Sequence, residues 1–548
     1  MFKTVPKKKK TKTKFLFLKQ NRFLEEFLVF TLLIGYVLGF IILFIRLFSL
    51  TIVKGNYYKK LSSQNRLKEI NVEAPRGTIF DRKGYPLAKS TEKIEKSGRI
   101  LTKRVYFFPY ASHFVGYVQE ANKQEIENSN CYYKPELGDK TGKAGVEKTL
   151  DCILRGKDGK KLVEVNALGK KIREIAFYPP KKGLDIKVSL DSVLQEKARE
   201  AIFKRNLSEK KIAIVGIKPS TGEVLIYLSF PDFDPNAFVD DLETARKYLN
   251  SKNKPLFDRV AKGVYPPGST FKPFVAIAAL EEKIISEKTL IEDTGIVKLG
   301  AKTFGNWYFL EYGKKEGMVN VVKAIKRSND IFFYKVGQKL GEDRIRDWAI
   351  RFGFSKLTGI GFEENTGVVP SDFWKREKIG SRWYLGDTYN LSIGQGYLLV
   401  TPLQLAVATA AIANNGKLCK PLILKLGSTR KYPLWAREAL LEYSQPTCKD
   451  LKISKKTLAL VKEGMKQACS PGGTAYPFFN FKPKVGCKTG TAQSHMPSGI
   501  PHAWFTVFAP FDSPEIVLAI IVEEAGQGSD VAAPLALDIL KFYFERQD

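Results

Sequence analysis

The chain has 548 residues, 44% of them apolar and 12% aromatic, which supports two or three packed domains and excludes a disordered chain. Its 89 Lys and Arg against 57 Asp and Glu leave a formal charge of +32, so the surface attracts anions: phospholipid head groups, nucleic acid or an acidic substrate. Charge alone does not choose among them.

The first 22 residues hold nine Lys or Arg and no acid. From Phe27 to Ile45, "FLVFTLLIGYVLGFIILFI" runs without a charge, and at about 1.5 Å per residue it spans roughly the 30 Å of a hydrocarbon core. This predicts a membrane-spanning helix over 27–47 behind a basic tail, 1–26. The basic flank places the N-terminus in the cytoplasm and the bulk of the chain outside. A cleaved signal peptide fits less well, because the run is too long and bulky residues follow it.

Next come an amphipathic stretch, "YYKKLSSQNRLKEI", and a turn-rich segment, "VEAPRGTIFDRKGYPLAKS". A lysine-rich mixed α/β region, 48–184, leads into the last domain, 185–548. There, "IAIVGIKPSTGEVLIYLS" reads as a hairpin around a Pro-Ser-Thr-Gly turn, and "KVGCKTGTAQS", "AWFTVFAPF" and "EIVLAIIVEE" read as adjoining strands. Strands at both ends of a helical middle predict an α+β fold with one antiparallel sheet flanked by helices. Six cysteines allow 15 pairings; Cys131 with Cys152 and Cys419 with Cys448 each close a short loop. His113, His495 and His502 make no zinc spacing, so neither a metal nor a cofactor is indicated.

Three stretches carry chemistry. In "VYPPGSTFKPFVAIAALEE", Pro266-Pro267-Gly268 stops regular structure and Ser269 stands where a helix begins, with Lys272 three places on along the same face. Ser269 alone reads as a helix cap. As a nucleophile it would use the positive end of the helix dipole, and Lys272, desolvated among apolar neighbours, could take its proton. The same S-x-x-K spacing recurs at Ser90, Ser208, Ser251 and Ser428 in polar surroundings, where it is accidental. In "IKRSNDIFFYKVG", Ser328, Asn329 and Asp330 precede an apolar helix and alone read as an N-cap. In "VGCKTGTAQS", Lys488 heads Thr489-Gly490-Thr491 on an edge strand, and glycine in a strand marks close backbone approach, which suits a ligand lying along the edge. Alone, that is equally a strand end with a turn. The three together, in this order, are hard to attribute to chance.

With these motifs on one chain, the sequence resembles the serine penicillin-binding proteins and class A β-lactamases, whose signature is S-x-x-K, S-D-N and K-T-G. "RGTIFDRKGYPLA", "SHFVGYV", "GKAGVEKTLDCILRGKDGKKLVEVNALGK" and "GEVLIYLSFPDFDPNAF" resemble the shared motifs of class B, monofunctional penicillin-binding proteins. "WYLGDTYNLSIGQGYLLVTPLQLA" is similar to the elongation-type penicillin-binding protein 2.

The resemblance implies a pedestal domain, a transpeptidase domain and D,D-transpeptidation of peptidoglycan stem peptides through a serine acyl-enzyme, with β-lactams as covalent inhibitors. It implies Ser269 as nucleophile, Lys272 as general base, and Ser328, Asp330 and Lys488 in proton relay and charge stabilisation. Thr489 and Thr491 would bind the substrate carboxylate, Gly490 would keep the edge open, and the N–H groups of Ser269 and Thr491 would form the oxyanion hole. A SEDS-type membrane glycosyltransferase and elongation-complex scaffold proteins are the implied partners, at the cytoplasmic membrane with the catalytic domain periplasmic.

Three departures stand out. Asp330 replaces the commoner Asn, the stretch from Pro86 to His113 is short for the elongation subgroup, and no E-x-x-L-N is present to activate a deacylating water, so β-lactam hydrolysis should be slow. A septal transpeptidase or a D,D-carboxypeptidase shares the same motifs. A membrane-tethered β-lactam sensor or scaffold would need cytoplasmic signalling machinery, and a nucleic-acid binder would need a recognition motif that this chain lacks.

Overall fold

The computed structural model describes residues 14–94, 100–166, 168–494 and 498–546. Half of the basic tail, residues 1–13, and His495 lie outside them. The chain divides into two compact units.

One unit comprises the chain through Val72 together with Gly159–Pro179. Helix α1, Lys14–Phe48, carries the apolar stretch, and Leu24–Val53 has a mean hydropathy of 2.8 with none of its most apolar window buried. It is the one helix among the described residues long and apolar enough to cross a membrane. A short helix, Gly55–Arg66, follows. The amphipathic stretch does not continue as helix past Arg66: Leu67–Val72 pairs antiparallel with Gly159–Val165, which pairs in turn with Lys171–Tyr178.

The other unit is Glu73–Asp158 with Pro180–Asp548. Its first part holds a four-stranded sheet in the order Ile100–Tyr106, Pro86–Ile94, Ile79–Phe80, Ile186–Lys187. The short stretch between Pro86 and His113 is thus largely an antiparallel strand pair. Its second part is built on five strands: β1 Ile212–Ile217, β2 Val224–Phe230, β3 Gly486–Ala492, β4 His502–Ala509 and β5 Ile516–Val522. They lie in the order β2-β1-β5-β4-β3, every neighbour antiparallel, so both ends of the domain supply the sheet and β3 is an edge strand. The β1–β2 hairpin turns at Gly222, whose φ of +86° suits glycine.

Both faces of the sheet are covered, and the period of two is visible along β5. Ile516, Leu518, Ile520 and Val522 join one apolar cluster with helices α2, Ser192–Lys204, and α9, Ala532–Glu545; Val517, Ala519 and Ile521 join another. That second cluster holds α3, Lys272–Glu281, and α7, Pro402–Ala413, which is buried along its whole length. Four more helices frame the site: α4 Trp307–Tyr312, α5 Val321–Lys326, α6 Asp330–Leu340 and α8 Lys455–Ala468. Three disulfides form. Cys131–Cys152 and Cys419–Cys448 are the two expected from loop length; Cys469–Cys487 ties the end of α8 to β3, a pairing visible only once that helix lies against that strand.

Candidate active site

Ser269 sits in a 3-10 turn, Gly268–Phe271, that runs directly into α3. Neither this turn nor α3 has a side-chain cap, so the Ser269 hydroxyl is not spent on capping. The turn is pinned by Gly268, at φ +54°, whose N–H donates to the Gly394 carbonyl at 2.8 Å. Thr270 Oγ1 donates to the Pro267 carbonyl at 2.7 Å.

Lys272 heads α3 and is fully buried. Its Nζ donates to the Ser328 carbonyl at 2.7 Å, Ser328 Oγ at 3.2 Å and Asp330 Oδ1 at 2.7 Å. The spacing predicts a reach to the Ser269 hydroxyl, but the donors go to the second motif, because its carboxylate and carbonyl compensate the buried ammonium better. Burial lowers the Lys272 pKa below its ordinary value, and the charge and hydrogen bond of Asp330 oppose that shift.

The second motif divides its labour. Asn329, not Ser328, caps α6, accepting from Phe332 N–H at 2.8 Å. Ser328 occupies a left-handed conformation at φ +54°, a strain of roughly 1–3 kcal/mol for a non-glycine residue. That turn aims its hydroxyl between two amines: Lys488 Nζ donates to Ser328 Oγ at 2.9 Å and to the Thr489 carbonyl at 2.9 Å. Lys488 is fully buried on β3 and bonds no carboxylate among the described residues, and burial, reinforced by the Lys272 charge, drops its pKa well below the ordinary lysine value, with Asp330 opposing.

Around this cluster lies a buried network most of which no sequence motif marks. Asp293 Oδ2 accepts from Asn306 Nδ2 and Asn329 Nδ2, both at 2.9 Å, and from Glu316 N–H at 3.0 Å. Asn306 Oδ1 accepts the Asp330 N–H at 3.1 Å, and Asp330 Oδ2 accepts the Trp307 N–H at 3.0 Å at the start of α4. Asp330 is thereby fixed at both its oxygens. Only Asn329 and Asp330, as residues of the second motif, had a signal in the sequence.

The rest of the third motif follows β3. Thr489 is buried, its hydroxyl 2.8 Å from that of Thr474, whereas Thr491 is exposed. Gly490 is buried between the nucleophile turn and the sheet: a Cβ there would meet Thr270 Cγ2 at 2.8 Å, Trp504 Cβ at 3.0 Å and the Pro267 carbonyl at 3.1 Å. Its lack of a side chain lets β3 and the Ser269 turn touch.

A serine on a glycine-pinned turn, two buried lysines bridged by a second serine, and an adjoining edge strand define a serine acyltransferase of the penicillin-binding type. The comparisons with known proteins agree. Residues 212–541 match the Penicillin binding protein transpeptidase domain and residues 99–188 the Penicillin-binding Protein dimerisation domain. The Peptidoglycan D,D-transpeptidase MrdA of Haemophilus influenzae is 31% identical, with 96% of this chain and 92% of that protein aligned. A complex between Penicillin-Binding Protein (PBP2) and MreC from Helicobacter pylori superposes with a TM-score of 0.72 at 27% identity, over 87% of this chain and 99% of that one. A structure describing coordination of polymerization and crosslinking by a peptidoglycan synthase complex gives 0.75 at 28% identity, over 94% and 98%. The chain belongs to the penicillin-binding protein transpeptidases, and within them to the class B, penicillin-binding protein 2 group of peptidoglycan D,D-transpeptidases.

Proposed function

We propose that this chain cross-links peptidoglycan stem peptides during cell elongation by a serine acyl-enzyme route, with Ser269 as the nucleophile. The observation that carries the assignment is the continuous buried path from Lys272, three residues after Ser269, through Ser328 Oγ at 3.2 Å to Lys488 at 2.9 Å.

An extended stem peptide would lie along the edge of β3, its carboxylate at Thr491 and Thr489. Ser269 Oγ attacks the carbonyl between the two terminal D-alanines as its proton passes to Lys272, whose ammonium hands one proton on through Ser328 Oγ to the neutral Lys488 amine. The tetrahedral oxyanion is held by the N–H groups of Ser269, which as a first-turn residue lies outside the intrahelical ladder, and Thr491. Collapse breaks the peptide C–N bond, and the released D-alanine amine takes a proton from the relay. The amine of a neighbouring stem peptide then gives up a proton to the same groups, attacks the ester carbonyl, and regenerates Ser269.

The charges support this sequence of steps. Two ammoniums and one carboxylate would leave a net positive charge buried. Lys488, bonded among the described residues only to hydroxyl and carbonyl oxygens, is the one to be neutral, and its amine can accept the Ser328 proton. Lys272 stays matched to Asp330 until the attack.

We further propose residues 48–184 as the pedestal, 185–548 as the transpeptidase domain, and α1 as a single-pass anchor with the N-terminus in the cytoplasm and the site in the periplasm. The basic residues ahead of the apolar run and three disulfides support that orientation. Since relatives of this fold are found with MreC and in a peptidoglycan synthase complex, a scaffold protein and a SEDS-type glycosyltransferase are the expected partners. Purification from native membranes in mild detergent should retain them; a chain that emerges alone speaks against stable partnership. Fluorescent penicillin should label the wild type covalently and leave Ser269→Ala unlabelled, and equal labelling of the two ends the nucleophile assignment.

A further inference from the structure

The stretch Ile393-Gly394-Gln395-Gly396 is distant in sequence from all three motifs, yet it holds two of them. Gly394 accepts the Gly268 N–H at 2.8 Å and has φ +77°; a Cβ there would stand 2.1 Å from the Gly268 carbonyl oxygen and 2.8 Å from Phe271 Cβ. Only glycine lets these two backbones meet. On its other side the same turn presses on β3, since a Cβ on Gly268 would come within 2.9 Å of the Thr491 carbonyl oxygen.

One residue on, the Gln395 side chain grips the strand itself. Its Nε2 donates to the Thr491 carbonyl at 3.1 Å, and its Oε1 accepts the Gln493 N–H at 3.3 Å. A primary amide offers a donor and an acceptor in one plane, as a peptide group does, so Gln395 pairs with the backbone over residues 491–493 as a residue of an added strand would.

The geometry points to Gln395 as a positioning residue that sets the spacing of the oxyanion hole. This rests on the function proposed above. Gly394 anchors the turn immediately before Ser269, Gln395 anchors Thr491, and the two anchors are adjacent residues, so little slack remains between the N–H groups of Ser269 and Thr491. A closer or looser hole matters where negative charge develops on the carbonyl oxygen, in the transition state. Gln395 therefore acts on the chemical step and not on the binding of the ground state.

The experiment uses the full-length chain in detergent and measures, by rapid mixing with a fluorescent penicillin, both the dissociation constant of the non-covalent complex and the acylation rate constant. Two variants are compared with wild type. Gln395→Ala removes both hydrogen bonds; Gln395→Glu keeps the length and the acceptor but replaces the donor to Thr491 with a carboxylate oxygen. In both, acylation should slow about 10- to 100-fold, short of the about 100- to 1,000-fold that loss of an oxyanion donor brings. The dissociation constant should change by less than about threefold, and a boronic acid that mimics the tetrahedral intermediate should lose affinity in step with the acylation rate. A variant with a wild-type melting temperature and an unchanged acylation constant overturns the assignment. So does a loss carried by the dissociation constant. A wild-type chain that takes up no penicillin removes the reading of the site, and Gln395 with it, whereas acylation equal in wild type and variants removes Gln395 alone.

Discussion

The same compact unit buries two clusters of charge and treats them in opposite ways. In the first, Glu147 is fully buried and clasped by Arg76, at 2.8 Å, and Arg104, at 2.7 Å, while Asp151 takes Arg76 at 2.9 Å and Arg155 at 3.5 Å. Every guanidinium has a carboxylate. Burial pushes the Glu147 pKa up, but Arg104 and Arg76 more than reverse it, and the carboxyl lies below its ordinary 4.5. In the second, Lys272 and Lys488 are equally buried and share one carboxylate, Asp330, which only Lys272 bonds. Both amines are pushed down. Where each cation bonds a carboxylate, the cluster is a fixed joint; where one amine bonds none, burial holds its proton less tightly than an ordinary lysine does.

The sharpest way to break the contrast is to remove the shared carboxylate of the first cluster. Glu147→Ala strands the buried Arg104 guanidinium and leaves Arg76 with Asp151 alone, and breaking such a pair costs about 3–5 kcal/mol. The melting temperature should fall by about 6–20 °C at about 2–4 °C per kcal/mol, while the surviving folded fraction still takes up penicillin. Thermal unfolding with labelling at low temperature separates the two effects. A drop of under 2 °C would mean that the arginines find other partners and that the cluster is not a joint.

Lys488→Met should move stability the other way. It replaces a buried amine with an apolar chain of similar length, and substitutions at sites held for function commonly return about 0.5–2 kcal/mol. The melting temperature should rise by a few degrees as acylation is lost. A Lys488→Met chain less stable than wild type would mean that the amine's bonds to Ser328 and Thr489 outweigh its burial.

Titration sharpens the same contrast. The folded lysines bind fewer protons than the unfolded ones, so their destabilising effect is full below their folded pKa and fades as pH climbs toward 10.5. Glu147 is depressed in the carboxylate range, so its contribution is present above 4.5 and is lost as pH falls through its folded pKa. The difference in melting temperature between wild type and Lys488→Met should therefore narrow from pH 7 toward pH 10, whereas that between wild type and Glu147→Ala should narrow only at acid pH. Acylation should rise with pH as Lys488 sheds its proton.

The legibility of these regions in the sequence follows from what makes each pattern. The five core strands are apolar runs punctuated by turns, and the anchor helix is a run too long and apolar to mistake, so both could be read directly. Ser269, Lys272, Ser328 and Lys488 lie in three short motifs that mean little singly and much in order. Asp293, Asn306 and Thr474 were not legible, because each acts through a partner far away in the chain and a buried Asp or Asn at a loop looks like any turn residue. Arg76 and Glu147 stand in stretches that resemble family motifs, but nothing in the residues says that those motifs meet. Gln395 is the same case: a Gly-Gln-Gly reads as a turn until Thr491 and Gln493 are beside it.

The smallest expected effect concerns a neutral pair at the edge of the second cluster. The Thr474 and Thr489 hydroxyls are 2.8 Å apart, and Thr489 is buried, so its hydroxyl direction is set by Thr474 and not by water. Thr474→Val preserves the shape and removes that partner, at a cost of about 1 kcal/mol, a melting shift of about 2–4 °C. Because no charge moves, the pH profile should match wild type. If Thr489 helps bind the stem-peptide carboxylate, its freed hydroxyl should raise KM about two- to fivefold with kcat held, the signature of an interaction made equally in ground and transition states. A fall in kcat at constant KM would instead tie Thr474 to the lysine relay, and the boundary between the proton-exchanging groups and their neutral surroundings would have to be drawn one residue further out.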